Sequence, residues 1–265
     1  MTILDGKKTA QDLKEEIKVA VSEIKKSGKR PPHLAAVLVG DDGASLTYVG
    51  SKVRSCDYVG FDSTLIKLDE STTEETLLKK IDELNQDDQL DGYIVQLPLP
   101  KHIDEEKILL AIDPTKDVDG FHPSNFGRMA LEMDAFIPAT PFGIIELLER
   151  YKIETSGKHC VVVGRSHIVG RPISILMSQK GPAGNATVTL AHSRTQNLAE
   201  LTKSADIVVM ALGIPEYLTA EMVKEGATII DVGITRVADA NHPKGYVIKG
   251  DVAYGEVAQK AAAIT

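Results

Sequence analysis

Apolar positions recur along the first half of the chain with two alternating periods. Leu13, Ile17, Val21 and Ile24 are spaced as one face of an amphipathic helix over Thr9 to Lys26, stopped by Gly28 and Pro31-Pro32. Leu34 to Val39 reads as a buried strand, and the turn Gly40-Asp41-Asp42-Gly43 leads to a helix that Ser45 or Thr47 would cap. A second strand is predicted over Ser63 to Leu68, then a helix over Thr73 to Asn85 with Leu77, Leu78, Ile81 and Leu84 inward. A third strand, Gly92 to Leu97, runs into Pro98-Leu99-Pro100. Strands alternating with helices predict an α/β fold with a parallel, doubly wound sheet. Ligands of such sheets sit outside the carboxyl ends of the strands.

Pro138 to Pro141 marks a boundary, and Phe142 to Tyr151 reads as a helix joining two halves. Beyond it, strands are predicted at His159 to Val163, Thr187 to Ala191, Ile207 to Leu212 ending at Gly213, and Thr228 to Val232 ending at Gly233. Between the first strand and its helix lies Gly164-Arg165-Ser166-His167-Ile168-Val169-Gly170-Arg171-Pro172. A strand passing through a glycine turn into a helix is the dinucleotide-binding arrangement, with backbone N–H groups meeting the pyrophosphate. Serine replaces the middle glycine of the usual pattern, and no Gly-Lys-Ser/Thr closes a P-loop. An NAD-type site carries an acid after the second strand. Here that strand ends in His192-Ser193-Arg194-Thr195, with Arg165 in the glycine turn. Two arginines and a serine suit a 2′-phosphate, so NADP is the expected cofactor. The alternative is that Arg194 only faces solvent.

Composition narrows the class without naming it. A chain of 265 residues, 43% hydrophobic and 26% charged, suits one large or two medium globular domains. A formal net charge of −8 argues against nucleic acid as a partner. Cys56 and Cys160 form no metal or redox spacing, which points to a reduced, cytoplasmic setting and no metal site. Met1 to Lys8 has no signal-peptide core, and no apolar run approaches the length of a membrane span, so no membrane association is expected.

On the predicted ligand edge the chemistry gathers at Tyr48 and Lys52, at Gln96, and in the loop Lys116-Asp117-Val118-Asp119-Gly120. A four-residue spacing places the Tyr48 phenol and the Lys52 ammonium one helical turn apart. The phenol can then hydrogen-bond a substrate while the lysine carries a proton. Each feature also has a plain alternative. The pair suits a solvated helix face, Gln96 a strand end in water, and the acidic loop a solvated turn. A calcium loop would need further oxygen ligands at regular spacing.

Taken together, the motifs resemble the bifunctional methylenetetrahydrofolate dehydrogenase/cyclohydrolases from Leu4-Asp5-Gly6 to the C-terminus. The resemblance rests on Ser45-x-x-Tyr48-x-x-x-Lys52, Val95-Gln96-Leu97-Pro98-Leu99-Pro100, Lys116 to Gly120, Pro138-Ala139-Thr140-Pro141, Gly164-Arg165-Ser166 with Val169-Gly170-x-Pro172, and Asp231-Val232-Gly233-Ile234. It implies a folate-binding catalytic domain over residues 1–140, a Rossmann-like NADP-binding domain over 141–265, and a cleft between them. The implied reactions are oxidation of methylenetetrahydrofolate with NADP and hydrolysis of the methenyl product to 10-formyltetrahydrofolate. Carried over by position, Lys52 transfers the proton in hydrolysis, Tyr48 accompanies it beside the folate, Gln96 assists Lys52, and Asp119 holds the pterin. Pro98 joins the folate contacts. Gly164, Arg165, Ser166, Ser193 and Ile234 match positions that meet the cofactor, and Arg194 and Gly213 complete that set. Homodimers pairing through the cofactor domain are the family habit. In the family a Pro- and Gly-rich segment and a final helix follow the equivalent of Ala262 to Thr265; this sequence stops there, as a truncated chain or one given without its tail would, and only a true absence of the tail would leave one wall of the folate cleft open.

A short-chain dehydrogenase also uses Tyr-x-x-x-Lys, but there the glycine turn precedes the tyrosine, the reverse of the order here. A nucleotide-sensing binding protein would need the glycine turn without Tyr48, Lys52, Gln96 and Asp119. The two implied reactions ask different things of the residues. Hydride transfer needs alignment, with reacting atoms roughly 3–3.5 Å apart. Hydrolysis needs a proton carrier, and an ordinary lysine, titrating near ~10.4, is a poor base at neutral pH. Partial burial beside a cationic substrate helps and a close carboxylate opposes. Asp119 is therefore expected to reach the pterin ring rather than Lys52.

Overall fold

The computed structural model describes residues 1–41 and 43–265, Ala44 through its backbone alone; Asp42, in the turn expected before the Lys52 helix, lies outside them. Two compact units emerge, Lys7–Ile137 and a second made of Met1–Gly6 with Pro138–Thr265. The first six residues thus leave the stretch that follows them, where a single cut near residue 140 was expected. The reason is a two-residue strand, β1 (Thr2–Ile3), that pairs in parallel with the end of the chain. Leu4 beside it is buried in the second unit's core.

In the first unit, α1 (Gly6–Lys26) starts a turn earlier than its apolar spacing predicts and buries only Thr9 and Val21. Ile17, expected inward, stays 39% exposed. β2 (His33–Val39) is the central strand, buried over Ala35 to Val39 as a parallel strand covered on both faces must be. α2 (Gly43–Val59) begins before Ser45 and Thr47, so neither is its cap; Thr47 Oγ1 instead donates back to the Gly43 carbonyl, 2.8 Å away. β3 (Asp62–Leu68) is half-exposed at one edge. α3 (Glu74–Gln86) is capped by Thr73, whose Oγ1 accepts the Thr76 N–H, and carries Glu74 and Glu75 in its first turn, where the helix dipole favours them. β4 (Gly92–Val95) stops one residue short of Gln96. Short helices α4 (Glu105–Ala111) and α5 (Pro123–Ala130) follow. The sheet order is β3-β2-β4, all parallel. Leu77, Ile81 and Leu84 of α3 bury one face with Val37, Tyr93 and Val95. On the other face Val49 of α2 packs on Ala36 and Ile94.

The second unit continues with α6 (Ala139–Arg150), for which Pro138 is the N-terminal flanking residue. Then come β5 (His159–Val163), α7 (Gly170–Ser178), β6 (Thr187–Ala191), α8 (Leu198–Ser204), β7 (Ile207–Met210) and β8 (Thr228–Asp231). Leu212 and Val232 fall beyond the ends of their strands. An antiparallel ribbon of β9 (Thr235–Ala238) and β10 (Tyr246–Lys249), a short α9 (Tyr254–Val257) and β11 (Ala263–Ile264) complete it; the β-period patterning had not singled out the ribbon. The six-stranded sheet has the order β1-β11-β8-β7-β5-β6 and is parallel throughout. Its β5, β7 and β8 are buried on both faces, which explains their unbroken Val and Ile runs. After β6 the chain crosses over to lay β7 on the other side of β5. The switch point therefore opens between β5 and β7, where open α/β sheets receive their ligands. No described helix is long and apolar enough to cross a membrane.

Candidate functional site

In the first unit, α2 is seated by Val49 with Val53 beside it, an i, i+4 pair packed on Ala36 and Ile94. Tyr48 and Lys52 each precede a member of that pair, so one seam sets both side chains along one edge of the helix. Tyr48 is 48% exposed. Val118 packs into the same small cluster, and this draws the acidic loop toward α2. The Tyr93 N–H donates to the Lys116 carbonyl at 3.0 Å, and Asp117 bridges Tyr93 in parallel, so the loop runs alongside β4 toward its carboxyl end. A side chain at Gly92 would collide with Val118 Cγ1 and lie 3.2 Å from the Lys116 carbonyl oxygen. Only glycine admits the loop there.

The consequence corrects one expectation. Asp119 Oδ1 sits 3.9 Å from Lys52 Nζ, a loose ion pair rather than two groups held apart. The distance exceeds hydrogen-bond reach, and the side chains stay 38% and 22% exposed. Burial pushes the Asp119 carboxyl above the usual carboxylate range; Lys52 pulls against this and Asp117 adds to it. Asp117 itself is buried, accepting the His122 N–H at 2.8 Å and an Asn125 Nδ2–H at 3.0 Å, which anchors the loop to the start of α5. In the sequence Asp117 is only part of an acidic turn; the signal for its burial is Asn125, eight residues on, inside an otherwise ordinary helix.

Gln96 continues the ladder past β4, its N–H donating to the Val37 carbonyl at 2.9 Å. Its Nε2 donates to the Leu97 carbonyl at 2.8 Å, while Oε1 is buried and has no hydrogen-bond partner among the described residues. A buried carbonyl oxygen at a ligand edge without a donor is a group that a bound molecule's N–H can satisfy. Pro98, joined to Leu97 by a cis peptide bond, is exposed just beyond it.

The second unit carries its own candidate edge. Gly164 leaves β5 with φ +127°, and a Cβ there would lie 2.9 Å from the Ala211 carbonyl carbon and closer still to its oxygen. One at Gly170 would fall 2.9 Å from Arg165 Cα and nearer to the Gly164 carbonyl. Ser166 Oγ accepts the N–H groups of Val169, at 3.1 Å, and Gly170, at 3.3 Å. The serine that replaces the middle glycine thus closes the turn on itself ahead of α7, whose N-terminal flanking residue is Val169. Arg165 and Ser166 are exposed, as are Ser193 and Arg194 in the turn after β6. That turn is organised by His192, whose Nδ1 accepts the Arg194 N–H at 3.1 Å. Gly213, at φ +72°, and Ile234 are exposed after β7 and β8. With a pressed glycine turn, exposed cations and no acid at the end of β6, these residues fit a phosphorylated dinucleotide. Each set is assembled within its own unit: Tyr48, Lys52, Gln96 and Asp119 in one, the seven cofactor candidates in the other.

The family description "Tetrahydrofolate dehydrogenase/cyclohydrolase, catalytic domain" matches residues 4–119, and "Tetrahydrofolate dehydrogenase/cyclohydrolase, NAD(P)-binding domain" matches residues 138–265. The chain is 72% identical over 265 residues to the "Bifunctional protein FolD" of Flavobacterium johnsoniae, covering all of itself and 90% of that relative. Among solved structures it is similar to the bifunctional FolD methylenetetrahydrofolate dehydrogenase/cyclohydrolase of Campylobacter jejuni, with a TM-score of 0.93 and 43% identity over all of this chain and 90% of that one. It is also similar to the Trypanosoma brucei enzyme complexed with NADP and an inhibitor, with a TM-score of 0.93 and 34% identity over all of this chain and 89% of that one.

Proposed function

Because this chain belongs to the tetrahydrofolate dehydrogenase/cyclohydrolase family, we propose that its two units bind the two partners of a bifunctional folate enzyme. The enzyme oxidises 5,10-methylenetetrahydrofolate with NADP and hydrolyses the resulting 5,10-methenyltetrahydrofolate to 10-formyltetrahydrofolate, in one-carbon metabolism. The folate is assigned to the unit Lys7–Ile137, and NADP to the unit of Met1–Gly6 with Pro138–Thr265. NADP, when bound, accepts the hydride. Gly164 and Gly170 give the cofactor's phosphates close access to backbone, and Arg165, Ser193 and Arg194 take the 2′-phosphate. Ser166, Gly213 and Ile234 complete the cofactor contacts.

For hydrolysis, Lys52 carries the proton that water loses on attacking the methenyl carbon. Tyr48 and Pro98 bound the folate beside it. Gln96, with its free buried oxygen, accepts a hydrogen from the ligand or from the lysine. Asp119 holds the pterin and, at 3.9 Å, also steers Lys52. The observation that carries this reading is the approach of Lys52 and Asp119 at the same sheet edge as the unpaired Gln96 oxygen. Methenyl-folate absorbance tests it directly. The compound should decay without cofactor, and should appear transiently from methylene-folate with NADP. A chain that binds NADP yet turns over neither folate would sink the assignment. The same reading makes the protein a cytoplasmic homodimer paired through its cofactor unit, which sedimentation of the purified chain measures.

The preference for NADP carries a mutational prediction. Removing one charge-assisted hydrogen bond costs roughly 1.5–3 kcal/mol of binding. Arg165→Ala should therefore weaken NADP by about one to two decades, at about 1.4 kcal/mol each, and leave NAD nearly unchanged. Calorimetric titration with both cofactors reads this. Equal losses would move Arg165 to the shared pyrophosphate.

A further inference from the structure

Behind the cofactor edge lies a carboxylate for which the proposed reactions have no direct use. Asp251 is fully buried, at 0% exposure. Its Oδ2 accepts the N–H groups of Leu212, at 2.6 Å, and Gly213, at 3.0 Å. Those two residues form the turn that leaves β7 at the switch point. Ala211, immediately before them, is the backbone against which the missing Cβ of Gly164 would press. The carboxylate therefore acts on the glycine turn through one intervening segment. A second carboxylate holds the first in place. Asp231, at the end of β8, accepts the N–H groups of Gly233 and Asp251, each at 2.9 Å, and of Val252 at 3.1 Å. A Cβ at Gly233 would lie 2.6 Å from Asp251 Cγ, and one at Gly250 would lie 3.0 Å from Asp231 Oδ1. The strap 250–252 is also tied to the segment after Gly213, because Glu216 N–H donates to the Gly250 carbonyl and Leu218 N–H to that of Asp251, both at 2.9 Å.

We propose that Asp251 is a positioning residue for the cofactor: its carboxylate locks the Ala211–Gly213 turn into the conformation that the Gly164 turn packs against, and so shapes the NADP site without touching NADP. The placement favours this over a role in folding alone. The side chain spends its hydrogen bonds on two successive amides at the ligand edge. Its other oxygen, Oδ1, is buried without a hydrogen-bond partner among the described residues, a cost that an apolar residue would avoid. Two successive amides held by one oxygen make a stiffer turn than a single hydrogen bond would. The inference rests on NADP binding to this unit, as proposed above.

The chain supplies its own control, because hydrolysis of methenyl-folate consumes no NADP and its assigned residues lie in the other unit. Asp251→Ala should raise the Kd of NADP about tenfold, equivalent to about 1.4 kcal/mol, with a matching rise in the NADP KM of the dehydrogenase. Cyclohydrolase turnover should stay within about twofold. Asp251→Asn keeps one acceptor oxygen and loses the charge, so a rise of about threefold is expected, again with hydrolysis intact. NADP affinity within error of the parent chain in both variants overturns the proposal. If alanine abolishes folding, and with it both activities, asparagine decides: a selective loss of NADP affinity supports the positioning role, while an equal fall of both activities or none overturns it. A parent chain that fails to bind NADP would instead overturn the cofactor assignment itself.

Discussion

Replacing Lys52 by methionine is expected to cut methenyl-folate hydrolysis by at least about a hundredfold, because positioned acid–base groups contribute on the order of 10²–10⁴-fold. Methionine keeps much of the lysine stem, and the seam of Val49 and Val53 that seats α2 is left untouched. Hydride transfer needs alignment more than proton transfer, and its loss should be far smaller. Methenyl-folate should therefore accumulate when the variant is given methylene-folate and NADP. Its absorbance, followed alongside NADPH formation in one cuvette, separates the two steps. The structure adds a further consequence. Removing the ammonium leaves Asp119 without the charge that opposes its burial, so its carboxyl should titrate still higher in the variant. Survival of hydrolysis with loss of dehydrogenation would mean that Lys52 aligns the folate and the proton carrier lies elsewhere.

An equally large effect is expected from a single methyl group at Gly164. The φ of +127° is one that residues with a Cβ rarely adopt, and the new atom would meet Ala211 backbone, which has no flexible end to yield. Relief requires the turns after β5 and β7 to part, at a cost of about 1–3 kcal/mol in strain alone. Gly164→Ala should weaken NADP by roughly a hundredfold, or about 2.8 kcal/mol at 1.4 per decade. Dehydrogenation should fall with it while hydrolysis persists. Titration calorimetry and the cofactor-free hydrolysis rate together read the outcome. NADP affinity within about threefold of the parent would show that this turn does not cradle the cofactor.

Much of the architecture is legible without coordinates, and the reason is local. β5, the strands starting at Thr187, Ile207 and Thr228, and α3 all lie where β-branched runs and 3.6-residue spacing predict them, because their burial on a parallel sheet leaves a pattern that tertiary context does not overwrite. The family motifs are local in the same sense. Each is a short run whose side chains and glycines serve one turn or one strand end, so a linear reading finds it. Ends are less secure: α2 starts before its supposed caps, because Thr47 bonds back into the helix, and Gln96 lies past the strand that it was thought to end.

What the sequence by itself determines, then, is the alternation of elements, the two glycine-marked ligand edges, and the residue types that the chemistry requires. Tertiary structure alone decides which distant groups meet. That β1 leaves its neighbours to pair with β11 follows from backbone hydrogen bonds spanning nearly the whole chain, for which the exposed pair Thr2–Ile3 carries no signal in the sequence. The 3.9 Å between Lys52 and Asp119 goes with Val118 packing beside Val49 and Val53, whereas the demand that a proton-carrying lysine titrate low argues for keeping a carboxylate away. Asp251 looks in sequence like a polar residue after a lysine and a glycine in a surface turn. It becomes a buried clasp because two backbone N–H groups from residues 212 and 213 need an acceptor where no strand supplies one.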